Sequence, residues 1–338
     1  MTASEALRMG VVGVGVIGRA HVRRIASREA ATTLVAVADQ NPEAAQTLAA
    51  EYGVEAADSV EALLGREDLD AVVIAVPSGL HAELAVAALR AGKHVLLEKP
   101  IEVTTARSDE ILAAEAASGK TLTVVSQRRF APANQFIRQL IADGKLGRIT
   151  SATVEVALWR TQEYYDTGAW RGTWALDGGG ALMNQGVHLV DLALWLLGDV
   201  EEVYAHTGLL AHENIEVEDT VTITARLRSG ALLTFLATTA AYGKLPIRVN
   251  IMGDEGSIVT ESEQITHFDT REEIPVPDLP EADQQLAQLQ DFVTAVREQT
   301  TPLVTSEQAR AAVAFINAVY ESGRTGKPVQ PAAVQVPA

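Results

Sequence analysis

Side chains able to do chemistry near neutral pH are few in this 338-residue chain, and unevenly placed. Cysteine is absent, which removes thiolate nucleophiles, disulfides and thiolate metal sites at once. Of the seven histidines, His188 has the most unusual setting. It lies in the stretch GGGALMNQGVHLVD, residues 178–191, where three glycines run directly into a segment of helical period. Imidazole changes charge near neutrality and can take up a proton there. Asp191 follows three residues later and Asn184 precedes by one turn, so both can share a helix face with His188. A histidine on an apolar helix is otherwise a core residue, and residue type alone does not choose between the two. The glycines also need a reason, since each loses much backbone freedom on ordering.

The elements that must position these groups are legible from texture. From Arg8 onward, short β-branched runs (MGVVGVG, TLVAVAD, DAVVIAVP, KHVLLEKP, TLTVVSQ) alternate with longer alanine- and leucine-rich stretches of helical period. That alternation predicts a parallel sheet with helices on both faces. Strands that are apolar nearly throughout fit burial on both sides. The first run ends in Gly13-Val14-Gly15-Val16-Ile17-Gly18 and opens a helix. In that context the motif predicts a dinucleotide turn, with Gly13 for the tight bend, Gly15 for approach of a pyrophosphate and Gly18 for helix–strand packing. The helix start offers unpaired N–H groups to the phosphates. The second run ends at Asp39, about 20 residues on, where an acid can grip a ribose 2′-hydroxyl and repel a 2′-phosphate. The ribose role implies NAD rather than NADP; the competing role for Asp39 is a cap on the helix that begins beside Pro42. The fourth run ends in Glu98-Lys99-Pro100, at the crevice beyond the strand ends. Taken alone, Lys99 could be a surface lysine on a loop or a crevice cation aimed by the turn at Pro100.

Composition narrows the classes. With 47% hydrophobic and 21% charged residues the chain is of ordinary globular make-up. Its length exceeds what one core usually organises, so two domains are expected, residues 1–127 and 128–338. A formal net charge of -17 disfavours nucleic acid as a partner. The start, MTASEALRMG, lacks the basic-then-apolar pattern of a signal peptide, and no run reaches the roughly 18 apolar residues of a membrane span. A cytoplasmic location is therefore expected. No metal site is expected either, because the histidines show no HxxxH or HExxH spacing.

After Gln127 the texture changes to one helical stretch (NQFIRQLIADG) and long alternating strands (ITSATVEVALW, EDTVTITARLRSGALLTFLAT, LPIRVNIMG). Arg228-Ser229-Gly230 reads as a hairpin turn. Helices are expected at residues 281–297 and 306–324, with Ser306 capping the second. Between strand and glycines lies WRTQEYYDTGAWRGTWALDGGG, read as an otherwise polar loop rich in aromatics and arginines. Aromatic rings stack on the CH faces of pyranoses, so Tyr165, Trp170 and Arg171 are expected to meet a sugar, with Trp174 evenly balanced between that and the core. Arg128 and Arg129 could meet an anionic group or form surface ion pairs.

Together the glycine turn, PSGLH at residues 77–81, Glu98-Lys99-Pro100 and the GGG…H stretch resemble the Gfo/Idh/MocA family of nicotinamide-dependent sugar and cyclitol dehydrogenases. The resemblance runs from Met9 to near Pro328. It implies an α/β fold in two parts: a Rossmann domain, and an α+β domain with a large, mainly antiparallel open sheet whose outer face pairs subunits into dimers or tetramers. It implies a cis Pro100, Lys99 beside the nicotinamide and the reacting hydroxyl, and His188 as proton acceptor. Gly13, Gly15, Val16, Ile17, Gly18, Asp39, Pro77, His81, Glu98, Lys99 and Gln127 would border NAD. Lys99, Arg128, Tyr165, Trp170, Arg171, Asn184 and His188 would face the substrate, a sugar or cyclitol. The triple glycine would then let the backbone pass close to the sugar. One position departs from the pattern. Many relatives, inositol dehydrogenases among them, have aspartate where this chain has Asn184, which can hydrogen-bond a hydroxyl but cannot take its proton. That version is more like the branch that acts at C3 of nucleotide-linked and anhydro sugars. Two rivals remain: an imine or tetrapyrrole reductase of the same architecture, against which GGG…H speaks, and a non-catalytic NAD(H)-binding regulator, against which Lys99 and His188 speak.

Overall fold

Strands β1 (Leu7–Val12), β2 (Thr32–Ala38), β3 (Glu55–Ala56), β4 (Ala71–Ile74), β5 (His94–Leu97) and β6 (Leu122–Val124) pair in parallel in the order β3-β2-β1-β4-β5-β6. The structure is a computed structural model and describes residues 6–334; residues 1–5, part of the stretch read for a leader, lie outside the described residues. Five of these strands are the five apolar runs. The sixth, β3, has two residues and is too short to carry any periodic signal. Strand order reverses between β1 and β4, which opens a ligand crevice at their carboxyl ends.

Helices α1 (Val16–Ser27), α2 (Pro42–Tyr52), α3 (Val60–Leu64), α4 (His81–Arg90) and α5 (Thr105–Ser118) cross between these strands. The start of α2 settles the alternative for Asp39. The helix is capped by Asn41, whose side chain accepts from Glu43 N and Ala44 N, with Pro42 as its first residue. Asp39 is free of that task.

The second sheet contains β7 (Ile149–Ala157), β8 (Val200–Gly208), β9 (Thr220–Leu227), β10 (Leu232–Thr238), β11 (Arg248–Gly253), β12 (Gly256–Glu261) and β13 (Gln264–Thr270). Their order is β13-β12-β11-β7-β10-β9-β8, antiparallel except where β10 meets β7. The hairpin at Arg228-Ser229-Gly230 forms as read, with Gly230 at φ 89°. Alternation in β9 and β10 turns Val221, Ile223, Leu233 and Phe235 inward. Helices α6 (Pro132–Ala142) and α8 (Val187–Leu197) pack with the sheet's inner face, and α10 (Ser306–Thr325) joins them. Burying a side chain such as Phe235 stabilises the fold by about 1.5–3 kcal/mol. Among the described residues no helix is long and apolar enough to cross a membrane.

Three expectations need correction. The cap of α10 is Thr305, in a capping box with Gln308, and Ser306 is the first helical residue. The aromatic segment is not all loop, since residues Gln162–Asp166 form a short helix, α7. The cores also do not divide at residue 127. Helix α9 (Gln284–Glu298) buries Leu289, Phe292 and Val293 against the first sheet, packed with Val11, Val22 and Leu48. Helix α10 spans both units, with Val313 in the first and Ile316 in the second.

Candidate active site

At the end of β1 the chain bends through Gly13, at φ +89°, where any Cβ would overlap the Ala75 carbonyl. A Cβ on Gly18 would likewise overlap the Gly13 carbonyl, so these two glycines are demanded by the protein's own packing. Gly15 differs: nothing lies within 4 Å of where its Cβ would be. Beside it Val16 is 82% and Ile17 46% exposed, and α1 begins without a side-chain cap. The turn is therefore closed toward the protein and open, with unpaired helix N–H groups, toward the crevice. Asp39 accepts from Val14 N at 2.7 Å and Asn41 N at 2.8 Å, which fixes its carboxylate beside the turn and leaves further acceptor positions. Across the crevice, the Gln127 side-chain oxygen is buried without a hydrogen-bond partner among the described residues. Such orphans are uncommon in native folds, and a donor on a bound nicotinamide would satisfy this one. Open turn, fixed acid and orphaned acceptor fit a dinucleotide.

The turn after β5 carries Lys99. Its peptide bond to Pro100 is cis, as the resemblance implies. Buried Glu98 contacts His21 at 2.7 Å and accepts from Lys99 N at 3.2 Å. Burial alone would raise the Glu98 carboxyl, but the His21 contact and the Lys99 charge outweigh it and hold it below its usual range. His81 lies on the other side of the turn. Its Nδ1 is 2.8 Å from Pro100 O and its Nε2 3.0 Å from Val76 O, and the ring is wholly buried. It braces the turn and has no nitrogen left for a cofactor.

Lys99 Nζ donates to the backbone carbonyl of Asn184 at 2.8 Å. Burial pushes its pKa down, the Glu98 and Asp177 charges pull it up, and the net shift is downward. The Asn184 carbonyl belongs to a wide π-helical turn, Ala181–Gly186, that leads into α8. One carbonyl of this turn seats the lysine. The Asn184 side chain donates to Asp177 at 2.6 Å, and Asp177 also accepts from Gly172 N at 2.9 Å. Burial raises the Asp177 pKa against those hydrogen bonds and the nearby Lys99 and Arg171 charges. Asp177 escaped sequence reading because the glycines 178–180 that follow it are not helical, so no periodic spacing links it to Asn184.

His188 follows at the start of α8 and lines one small cavity with Lys99, Pro100, Ser126 and Asp191. Burial, and then the charges of Lys99 and Arg128, push its pKa well below 6.5, so the ring is neutral. Neither ring nitrogen has a hydrogen-bond partner among the described residues. Asp191 is one turn away but does not meet it. Its carboxylate instead takes a two-pronged bond from Arg129, at 2.8 and 2.6 Å, with both side chains buried. Arg129 is thus neither a substrate cation nor a surface one. Arg128 pairs with Glu263 at 2.7 Å.

The triple glycine has a different reason from the one expected. Side chains at Gly178, Gly179 and Gly180 would overlap Val103, Tyr320 and the Glu218 carbonyl, all groups of the protein. The glycines let the turn pack against the fold. Glu218 ties it down, accepting from Gly180 N and Leu182 N at 2.8 Å each and from the Tyr320 hydroxyl at 3.2 Å.

In the aromatic segment, Tyr165 is buried, with its hydroxyl 2.8 Å from Thr239 Oγ1. That takes it away from any sugar. Its neighbour Tyr164 is the one at the site, accepting from Gln185 Nε2, which also donates to Asn184 Oδ1. Arg171 lies over Tyr164 and Trp170, at 4.8 and 5.0 Å from their ring centres. Trp174 is 45% exposed, against Tyr320, and lines a separate cleft of about 720 Å³ that contains neither Lys99 nor His188.

Residues 7–126 match the model of an oxidoreductase family with an NAD-binding Rossmann fold, and residues 134–259 match that of the GFO/IDH/MocA C-terminal domain. The chain is 30% identical over 332 residues to 1,5-anhydro-D-fructose reductase of Ensifer adhaerens, covering 95% of this chain and 97% of that one. It is 30% identical over 262 residues to inositol 2-dehydrogenase of Rhizobium meliloti, 76% of each. The crystal structure of the WlbA dehydrogenase from Bordetella pertussis, in complex with NADH and UDP-GlcNAcA, superposes with a TM-score of 0.91 at 34% identity, over 97% of this chain and 100% of that one. An oxidoreductase whose cofactor is NAD, the chain belongs to the Gfo/Idh/MocA family.

Proposed function

We propose that the protein oxidises a secondary hydroxyl of a sugar, a pyranoside, anhydrosugar or nucleotide sugar, at C3. One observation carries this reading: a neutral imidazole unbonded among the described residues, His188, and a cation, Lys99, come from different domains to meet around a small void at the carboxyl edge of the first sheet. His188 accepts the hydroxyl proton, and the Lys99 ammonium stabilises the negative charge that develops on oxygen. Bound NAD supplies the hydride acceptor. Asn184 and Asp177 act by position: Asp177 holds the Asn184 side chain, and the Asn184 carbonyl holds Lys99. Asp39 favours NAD over NADP, because a 2′-phosphate would meet a carboxylate. Val16, Ile17, Pro77, Glu98 and Gln127 border the cofactor in this reading, and Trp170, Arg171 and Asn184 the sugar. His81 is a brace and Tyr165 a core residue.

The C3 assignment is supported by Asn184 and by likeness to the D-glucoside 3-dehydrogenase of Escherichia coli, 28% identical over 98% of this chain, and the sugar class by likeness to the anhydrosugar reductase and the UDP-GlcNAcA complex. The inositol 2-dehydrogenase relative favours a cyclitol as the second reading. Subunits would pair through the outer face of the second sheet, where Thr222, Thr224, Leu232 and Thr234 are exposed. The test is NADH formation against inositols, aldoses, pyranosides, an anhydrosugar and nucleotide sugars, each with NAD and then NADP. Turnover of one class, lost in His188→Ala, is the expected result; tight NADH binding with no turnover of any of them would overturn the reading.

A further inference from the structure

Arg160 and Arg171 stand out in a chain with 44 acidic residues against 27 lysines and arginines. Neither has a carboxylate partner within ion-pair distance among the described residues, and each carries a buried Nε without a hydrogen-bond partner. Each guanidinium has five N–H donors. Arg160 commits one, to Gln185 Oε1 at 3.0 Å, and Arg171 one, to Thr167 Oγ1 at 3.1 Å. Both lie over the same ring, Tyr164, at 5.0 and 4.8 Å from its centre. The ring face attracts each cation weakly, by about 0.5–2 kcal/mol, while the two cations repel one another across it. Their place is no accident of the surface. Gln185, which Arg160 holds, donates to the Asn184 side chain, and the Asn184 carbonyl seats Lys99. Arg160 therefore borders the reacting end of the site, and Arg171 joins it over the Tyr164 ring, whose hydroxyl accepts from the same Gln185.

We infer that Arg160 and Arg171 seat a negatively charged substituent of the sugar, a carboxylate or a phosphate, so that the substrate is acidic and neutral sugars are poor replacements for it. Planar N–H forks match either oxyanion with paired bonds. The inference rests on the dehydrogenase reading above and deepens it.

The test uses the whole protein with NAD and matched probes: a pyranoside uronate and its methyl ester, a hexose phosphate and its parent hexose, and a nucleoside-diphosphate sugar with and without a sugar carboxylate. The acid of a pair should exceed its neutral counterpart in kcat/KM by roughly 10- to 100-fold, the range of charge-assisted hydrogen bonds. The uronate and phosphate arms tell the two oxyanions apart. In Arg160→Met and Arg171→Met that preference should collapse at least about tenfold, through KM more than kcat, and Arg171→Lys should restore part of it. NADH fluorescence titration reports whether each variant is folded. Equal use of acid and ester, or a preference intact in both variants, overturns the inference and leaves the dehydrogenase reading standing. Binding of the uronate or phosphate to the NADH complex, measured by calorimetry and lost in Arg171→Met without any turnover, upholds the inference and sinks that reading instead.

Discussion

Two histidines flank the turn that carries Lys99, one from each domain, His81 buried and His188 half-buried. His81, at the start of α4, has both ring nitrogens against backbone carbonyls, Pro100 O and Val76 O. His188, at the start of α8, has neither nitrogen engaged among the described residues. Burial is the first cause of the downward pKa shift in both. What separates them is saturation. A ring whose hydrogen bonds are used up by the fold can only hold the fold, whereas a neutral ring with free nitrogens beside a cation can act on what enters. The contrast recurs between the two glycine turns. All three glycines of residues 178–180 yield to protein groups, while Gly15 of the first turn faces open space. It recurs among the arginines, in Arg129 locked to Asp191 and Arg160 and Arg171 left open.

The sharpest way to break the comparison is to remove each ring in turn. His188→Ala should lower kcat by about 10²–10⁴-fold, the usual range for a general base, with little change in thermal midpoint. His81→Ala should do the reverse. The neutral ring has one N–H, so one backbone carbonyl loses its donor, which costs about 1–3 kcal/mol of stability, visible as a lower denaturant midpoint. If His81→Ala abolishes turnover in protein that remains folded and binds NADH, saturation is not the distinguishing property.

Asp191→Ala leaves Arg129 as an uncompensated buried charge and should cost about 3–5 kcal/mol in urea unfolding. A loss near zero would mean that water reaches the pair. The pH profile sharpens the case for His188. Because its pKa lies well below 6.5, the acid limb of kcat/KM should lie well under pH 6.5, and the profile should be flat through neutrality until Lys99 loses its proton below pH 10.5. A limb at pH 6.5 or above would show a solvated imidazole and remove the argument from burial.

The smallest effect concerns Glu218, whose pKa burial raises to about 7 from 4.5. Its native pKa exceeds the unfolded one, so between those values the folded state holds more protons. Its contribution to stability is then full below pH 4.5 and is lost as pH rises through 7. The thermal midpoint of the wild type should fall over that window relative to Glu218→Gln, by differential scanning calorimetry at each pH. Parallel profiles would show that the backbone N–H bonds from Gly180 and Leu182 hold the carboxylate ionised.

The sequence by itself determined five strands of the first sheet, the dinucleotide turn and the hairpin at Gly230, and it marked Lys99 and His188 as candidates. Each rests on a local rule: apolar runs of fixed period, or glycines at required offsets. Tertiary structure decided the rest, because those facts depend on residues distant in the chain. Only packing brings Asp177 to Asn184, saturates His81, turns Tyr165 inward and Tyr164 outward, and returns α9 to a sheet formed some 160 residues earlier. Whether a polar side chain is used by the fold or left for a ligand is a question of hydrogen-bond satisfaction, and satisfaction is a property of neighbours that no residue carries in its own type.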